Sequence, residues 1–476
     1  MKKKYSGLMA LLLTGSLLLT ACGGGNTATA NTEETDNSAM PIVESTTPTV
    51  ADHTSVTATE ITADDSGYEF SERDLDPTYD QVTATVTLSD GGSSADGSGV
   101  TVSGSDVTIT SAGTYLISGA LSDGSITVAA GEEEKVQLVL CGVSVTNSDG
   151  PALYVQSGDK VFLTLADGTD NTFSDGSGYT AADGDTELDA AVFSRSDLTV
   201  NGGGRLTVNG NNKHGIVSKD DLVITGGTVT VTARNAALCG KDCVKIAAAA
   251  LTLTAGTDGI RSDNTEDAER GYVYLHSGEI TIDAGSDGIQ AETVLYVSGG
   301  TVTVDSSDDS LHSNGTIRFT GGELTLSSGD DGVHADETLT IDGGTLAITA
   351  TEGLEATVIT INDGDISINA SDDGINAARK SSAYTPMVEI NDGTVTVVMG
   401  AGDTDGIDSN GNIVINGGTV NVSAGSSFDY DGTGVFNGGT VIVNGQQVDT
   451  LPNQMMGGPG MGGGMMGGPG GMGGRP

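Results

Sequence analysis

The sequence predicts an all-β solenoid, a parallel β-helix of about 22 residues per coil, on three observations. First, a pattern of acid, Gly, aliphatic, polar, small and acid returns along most of the chain, with its first acid at Asp258, Asp287, Asp309, Asp331, Glu352, Asp373 and Asp405, in steps of 29, 22, 22, 21, 21 and 32 residues. A repeat of this length is read as one coil stacked on the next. Second, each repeat divides into short β-branched runs separated by Gly, Asn and Asp, as in "GGTVTVDSS", "DDSLHSN" and "GTIRFTGG" over 299–322, which is strand and turn chemistry. Third, aromatics are 4% of the chain, Trp is absent and Gly numbers 73, so small and β-branched residues must fill the interior.

The elements follow in chain order. Residues 1–21, "MKKKYSGLMALLLTGSLLLTA", have a basic start, an apolar run and small residues before Cys22, the pattern of a secretory leader. The "LTAC" ending resembles the lipobox of bacterial lipoproteins, which makes Cys22 the lipidation site and places the protein on the outer face of the cell envelope, held to the membrane by its lipid. Residues 22–67, rich in Gly, Thr, Ser, Ala and acids, read as a flexible tether. Residues 68–450 form the β-helix. The two long steps are ordinary coils carrying insertions, "SDNTEDAERG" at 262–271 and "RKSSAYTPM" at 379–387. Residues 451–476 hold six of the eleven Met among Gly and Pro and read as a disordered tail. Cys141, Cys239 and Cys243 are an odd set that describes no disulfide framework. The last two align with apolar positions of the neighbouring coil and read as buried free thiols.

Charge restricts the function. The formal net charge is −46, and without the leader 16 basic residues face 65 acidic ones, a net charge of −49. Nucleic acid is excluded as a partner, because phosphate contacts need Lys and Arg. Within the motif, alternation puts Ile260, Ile289, Leu311, Val333, Leu354, Ile375 and Ile407 in the core, followed by Ser262, Ala291, Ser313, Ala335, Ala356, Ala377 and Ser409. The acid and the positions three and five after it are expected to project outward and form a polar stripe.

Carboxylates stacked about 4.8 Å apart repel by about 3 kcal/mol per pair at an effective dielectric near 20, so the stripe needs a cation. Ca²⁺ sits about 2.3–2.6 Å from its oxygens, and two ligands across one ion match the coil spacing. The expected calcium ligands are Asp258, Asp263, Asp287, Glu292, Asp308, Asp309, Asp330, Asp331, Asp336, Asp372, Asp373, Asp405 and Asp408. Arg261, Gln290, His312 and His334, three residues after successive acids, are the candidate sugar contacts. The competing explanation is that Asp-Gly only turns the chain at each corner, which leaves the further acids at Asp263, Glu292, Asp336 and Asp408 unexplained.

The runs "FSERDLDPTYD", "VTITSAGTYLISGALSDGSITV", "VQLVLCGVSVTNSDGPALYVQSGDKVFLTLADGTDNTFSDG" and "DAERGYVYLHSGEITIDAGSDGIQAE", with the later coils, resemble a family of bacterial carbohydrate-binding domains once grouped as a domain of unknown function. The resemblance extends over about 68–445. It implies a right-handed single-stranded parallel β-helix that contains calcium, is similar in shape to pectate lyases, and binds plant cell-wall polysaccharides, acidic pectic chains among them and cellulose as a further ligand. The absence of Trp makes a flat platform for neutral sugars hard to build. An acidic protein can hold an acidic glycan through a bridging cation, which favours a uronate-rich polysaccharide. A calcium-dependent polysaccharide lyase and a structural or adhesive surface protein are the alternative readings. No catalytic residue is assigned, since Arg261 alone follows a motif acid where a base would stand, and guanidinium is hard to deprotonate.

Overall fold

The computed structural model describes residues 67–179, 188–401 and 404–453. The leader at 1–21, Cys22, the tether to 66 and the Met-rich run from 454 lie outside the described residues.

β-Strands follow one another from Ala84 to Val448, and nearly every strand pairs in parallel with the strand one coil further on. The chain is a parallel β-helix with three sheets along its length. One sheet is built from runs such as Gly278–Ala284, Thr301–Ser306, Glu323–Ser327 and Thr345–Ala350. The second carries the acidic motif, in strands such as Ile260–Ser262, Ile289–Ala291 and Leu311–Ser313. The third includes Tyr272–Leu275, Val294–Val297 and Thr316–Phe319.

Register explains why a chain with 4% aromatics can form a core. Ile280, Val302, Leu324, Leu346, Ile366, Val395, Val420 and Val441 face one another in successive coils of the first sheet. In the second, Ile260, Ile289, Leu311, Val333, Leu354, Ile375, Ile407 and Phe428 do the same. All of them are buried, and each apolar side chain removed from water contributes about 1.5–3 kcal/mol. Columns of like side chains thus replace the interlocking large rings of a globular core. The small residues expected behind them, Ser262 through Ser409, are buried as well.

The motif glycines do not turn the chain by a positive φ. A Cβ on Gly288 would stand 2.3 Å from Val304 Cγ1 and 2.5 Å from Ser310 O, and one on Gly332 2.3 Å from Ile348 Cγ2. They are glycine because an aliphatic side chain of the first sheet leans against the corner of the second. Positive φ belongs to the second Gly of the "GG" turns, as at Gly300 and Gly322 with φ of 90° and 99°.

Both insertions leave the helix as loops. One runs between Ser262 and Tyr272, the other between Ala377 and Met387. The pairing turns antiparallel at the two ends, where Ala84–Leu88 meets Ser94–Gly97 and Thr440–Val443 meets Gln446–Val448. Hairpins of this kind stop further coils from adding to an open edge. Leu451 is buried against the last coil, three residues after the final strand.

A strap not legible in the repeat lies along the third sheet. Its short helix α1, Glu72–Leu75, is capped by Ser71. Asp74 is buried, 2.8 Å from Lys160 Nζ, and accepts from Thr199 Oγ1 at 2.6 Å. Lys245 Nζ donates to Glu69 O at 2.9 Å. Tyr68 and Phe70 pack on Tyr274, with ring centroids at 5.6 and 5.8 Å. The strap engages much of the small aromatic complement and ties several coils together.

Candidate functional site

The candidate site is the row of side chains beside the second sheet. Parallel register stacks the position three residues after each acid: Val217, Cys239, Arg261, Gln290, His312, His334, Glu355, Asn376, Asp408 and Asp429 lie in successive coils. The outward projection expected for the motif acids is corrected at four of them. Asp258, Asp287, Asp309 and Asp331 are only 5–6% exposed. Backbone donors of the next coil meet Asp287 and Asp309, and meet Asp373 further along. Asp309 N donates to Asp287 Oδ1 at 3.3 Å, Asp331 N to Asp309 Oδ1 at 2.9 Å and Asp405 N to Asp373 Oδ1 at 3.3 Å. The motif acids form a ladder in which one coil's carboxylate holds the backbone of the next.

Between 258 and 355 the ladder carries its own cations. Arg261 reaches Asp258 at 3.6 Å and Asp263 at 2.8 Å. His312 Nδ1 lies 3.4 Å from Asp287 and 3.3 Å from Asp309. His334 Nδ1 lies 3.3 Å from Asp309, 3.0 Å from Asp331 and 3.5 Å from Glu355. Lys380, on the second insertion, folds back to Glu355 at 2.7 Å. The two imidazoles, expected as sugar contacts, are half-buried among carboxylates. Burial works against protonating His334, but hydrogen bonds to Asp309 and Asp331 and the nearby charges overcome it and raise its pKa to about 10. Burial together with the charges of Asp309, Glu355 and Glu352 raises Asp331 to about 7, against the lowering effect of its His334 hydrogen bond.

Past residue 370 the ladder is made of oxygen. Asp405, Asp408 and Asp429 bring carboxylate oxygens within 4.8 Å of one another. Asp405 Oδ1 and Thr404 Oγ1 are buried with no hydrogen-bond partner among the described residues, and Thr404 is 5% exposed. Burial, with the charges of Glu352, Asp408, Asp405 and Asp372, raises Asp373 to about 7. Burial, with Asp429 and Asp405, raises Asp408 to about 6. Burial and like charge therefore disfavour the ionised forms of Asp373 and Asp408.

The remaining expected ligands divide. Asp308, Asp309 and Asp330 converge within the same 4.8 Å limit, with Asp308 and Asp330 exposed. Asp258 and Asp263 are joined through Arg261. Glu292 accepts from Asn314 Nδ2 at 2.8 Å, and Asp336 lies 3.5 Å from His334 Nε2. Among the described residues, neither Glu292, Asp336 nor Asp372 joins a group of three ligand atoms. Sequence reasoning missed Asp429, which continues the register in "SSFDY" although Ser426 replaces the motif acid. It also missed Asp197, Asp220 and Asp221, which converge in coils that lack that acid. Asp220 is raised to about 7 by burial and by Asp197 and Asp242. The signal for these was the spacing of Asp197 to Asp221 and Asp221 to Cys243, about one coil each, outside the motif.

The stripe also changes sign. Two residues beyond the stacked column, Arg195, Lys219 and Lys241 occupy matching places in coils that precede Arg261. A cavity of about 470 Å³ opens there, lined by Asp189, His214, Lys219, Cys239, Lys241, Arg261 and Asp263 among others. Arg261 Nε is buried there without a hydrogen-bond partner among the described residues. Lys241 is held by Glu266 of the first insertion at 3.0 Å. Cys239 and Cys243 are free, and burial pushes the Cys239 thiol up to about 12, so neither is a reactive thiolate near neutrality.

A family model described as carbohydrate-binding domain-containing protein matches residues 103–304, 291–332 and 330–451. A carbohydrate-binding domain-containing protein of Acetivibrio thermocellus is 37% identical over 136 residues, which are 28% of this chain and 48% of that relative. The match therefore spans about half the length of the curated relative. A solved structure described as the polysaccharide lyase-like protein from C. thermocellum, a gadolinium derivative, shares 35% identity at a TM-score of 0.47, over 55% of this chain and 97% of that one.

Proposed function

We propose, for a chain that belongs to the carbohydrate-binding domain-containing protein family, that it binds uronate-rich, pectin-like polysaccharide along the stripe of the second sheet. The observation that carries this reading is the change of sign along one stripe. Lys219, Lys241 and Arg261 meet at the cavity on one side, and carboxylates continue the stripe on the other. A sugar carboxylate enters the cavity and takes charge-assisted hydrogen bonds, Arg261 Nε supplying a donor. Further along, the glycan and the protein are both anionic and need a bridging ion.

The residues fit calcium best at Asp405, Asp408 and Asp429, with Asp373 beside them. The donors are all oxygen, as Ca²⁺ prefers, and the orphaned Asp405 Oδ1 and Thr404 Oγ1 are the buried oxygen atoms that an ion would satisfy. Bound there, calcium supplies positive charge to the sugar carboxylates. Asp258 and Asp263 fit it poorly, because Arg261 already holds them. Cleavage by β-elimination needs a base beside the ion. Arg261 is locked between two carboxylates that favour its charged form, so this reading makes the protein a binder and not a lyase. Lipidation of Cys22 would hold the β-helix at the cell surface, two or more acyl chains being enough for stable anchoring.

Glycan arrays run with calcium and with chelator test the proposal. Binding concentrated on polygalacturonate and related uronates, and reduced by chelator, supports it. Binding to neutral glycans alone, or to none, sinks it.

A further inference from the structure

Parallel register puts both ends of the glycan stripe in one column. Arg261 stands at the cavity and Asp408 in the oxygen cluster, and the column runs between them through Gln290, His312, His334, Glu355 and Asn376. Those six coil steps amount to about 29 Å at a strand spacing of about 4.8 Å.

The floor between the ends shields its carboxylates. Glu355 is the one acid among those intermediate residues of the column; it is 4% exposed, with Lys380 Nζ 2.7 Å from its Oε2. The second insertion fixes Lys380 from both sides. Ser381 N donates to Thr357 Oγ1 at 2.8 Å, and Arg379 Nη2 donates to Asn410 O at 3.1 Å. The ladder acids beside the column, Asp287, Asp309 and Asp331, are buried and face imidazole nitrogen at 3.0–3.4 Å. In the adjoining column Glu292 is occupied by Asn314, and Asp336 faces His334 Nε2. A polyanion that crosses these coils meets amide, imidazole and ammonium groups.

Each end alone makes a weak site. The cations at the cavity are partly exposed, so water and salt screen their contacts. One chain held at both ends makes the second contact intramolecular, which raises affinity by about 10²–10⁴.

We propose, on the basis of the uronate reading above, that the ligand class is a long unesterified oligouronate held at both ends of this column, with Lys380 as the positioning residue that keeps its middle passable to a polyanion. A chain shorter than about 29 Å reaches one end only.

Isothermal titration calorimetry of the full-length chain in calcium tests this with a trimer and a dodecamer of galacturonate, one shorter and one longer than the span. The dodecamer offers about ten registers to a trimer-length contact, so statistics alone supply a gain of about tenfold. The expected gain is about 100-fold or more, at one dodecamer per chain. Asp405→Asn with Asp408→Asn removes one end and should reduce the gain to the statistical factor. Lys380→Gln leaves Glu355 bare in mid-column and should lower the ratio of the two affinities severalfold; Glu355→Gln added to Lys380→Gln should restore it, which a merely structural role for the lysine would not do. A gain of about tenfold or less, a gain that survives the Asp405 and Asp408 replacements, or a Lys380→Gln loss that the added Glu355→Gln does not repair would overturn the proposal and leave the uronate reading standing. Failure of both oligomers to bind would sink both.

Discussion

Raising the pH of the metal-free protein should destabilise it well before ordinary alkaline unfolding, because Asp373 and Asp408 ionise at a free-energy cost. Their carboxyls titrate near 7 and 6 in the folded chain, against a usual value near 3.9. A raised carboxyl contributes most to stability below its unfolded pKa, and the contribution is lost as pH rises through the folded one. Between pH 4.5 and 7.5 the two groups together traverse about four pKa units of penalty, or about 5 kcal/mol at 1.4 kcal/mol per unit. Both are partly exposed and share neighbours, so solvent screening reduces this to about 3 kcal/mol. With an unfolding entropy of about 2.1 cal/mol/K per residue over roughly 380 residues, Tm should fall by about 4 °C. Above pH 6.5 the raised His312 and His334 act in the same direction, because the unfolded chain gives up protons that the folded one keeps. His214, lowered chiefly by burial, opposes the trend below that pH. The assay is differential scanning calorimetry of chelator-treated protein across this range, repeated with Asp373→Asn and Asp408→Asn together, and again with calcium. The slope should shrink in the double variant and flatten with calcium, which supplies the missing charge. A metal-free Tm that is constant or rises from pH 4.5 to 7.5, or a double variant with the wild-type slope, would refute the argument.

Three further outcomes are expected. Lys219→Ala combined with Lys241→Ala should weaken polygalacturonate binding by about tenfold at low salt and by less at high salt, since the contacts are charged and partly exposed; surface plasmon resonance at two ionic strengths reads both effects. Gly288→Ala places a Cβ 2.3 Å from Val304 Cγ1 and 2.5 Å from Ser310 O, and overpacking there should cost about 1–3 kcal/mol in denaturant unfolding, whereas Gly178→Ala, which meets nothing within 4 Å, should change little. Incubation with polygalacturonate and calcium should give no rise in the ultraviolet absorbance of unsaturated products; a rise abolished by Arg261→Ala would make that residue the base of a lyase.

The fold was legible because a solenoid repeats its instructions. The step of 21 or 22 residues and the alternation around Ile289, Leu311 and Val333 specify coil length, register and inward face without reference to distant parts of the chain. The strap at 68–75 was not legible, since Asp74 meets Lys160 and Thr199 through contacts that occur once and leave no period. The candidate ligands were found as a list but not as groups. Alternation alone sends the motif acid outward, and only the stacked backbone shows Asp287 and Asp309 buried beneath the amide donors of the next coil. Which acids already have a cation also depends on rotamers and insertions. Lys380 reaches Glu355 from the second insertion, and nothing in its local sequence announces that. Asp429 escaped because its coil lost the motif acid while keeping the register.

The most direct test of the central claim is the affinity of the purified protein for a defined oligogalacturonate, measured by isothermal titration calorimetry in calcium and again after chelation. Saturable binding in calcium, weakened at least tenfold by chelator and by Asp405→Asn with Asp408→Asn, is the predicted result. Equal affinity in both buffers, or no binding in either, would contradict a calcium-bridged uronate site.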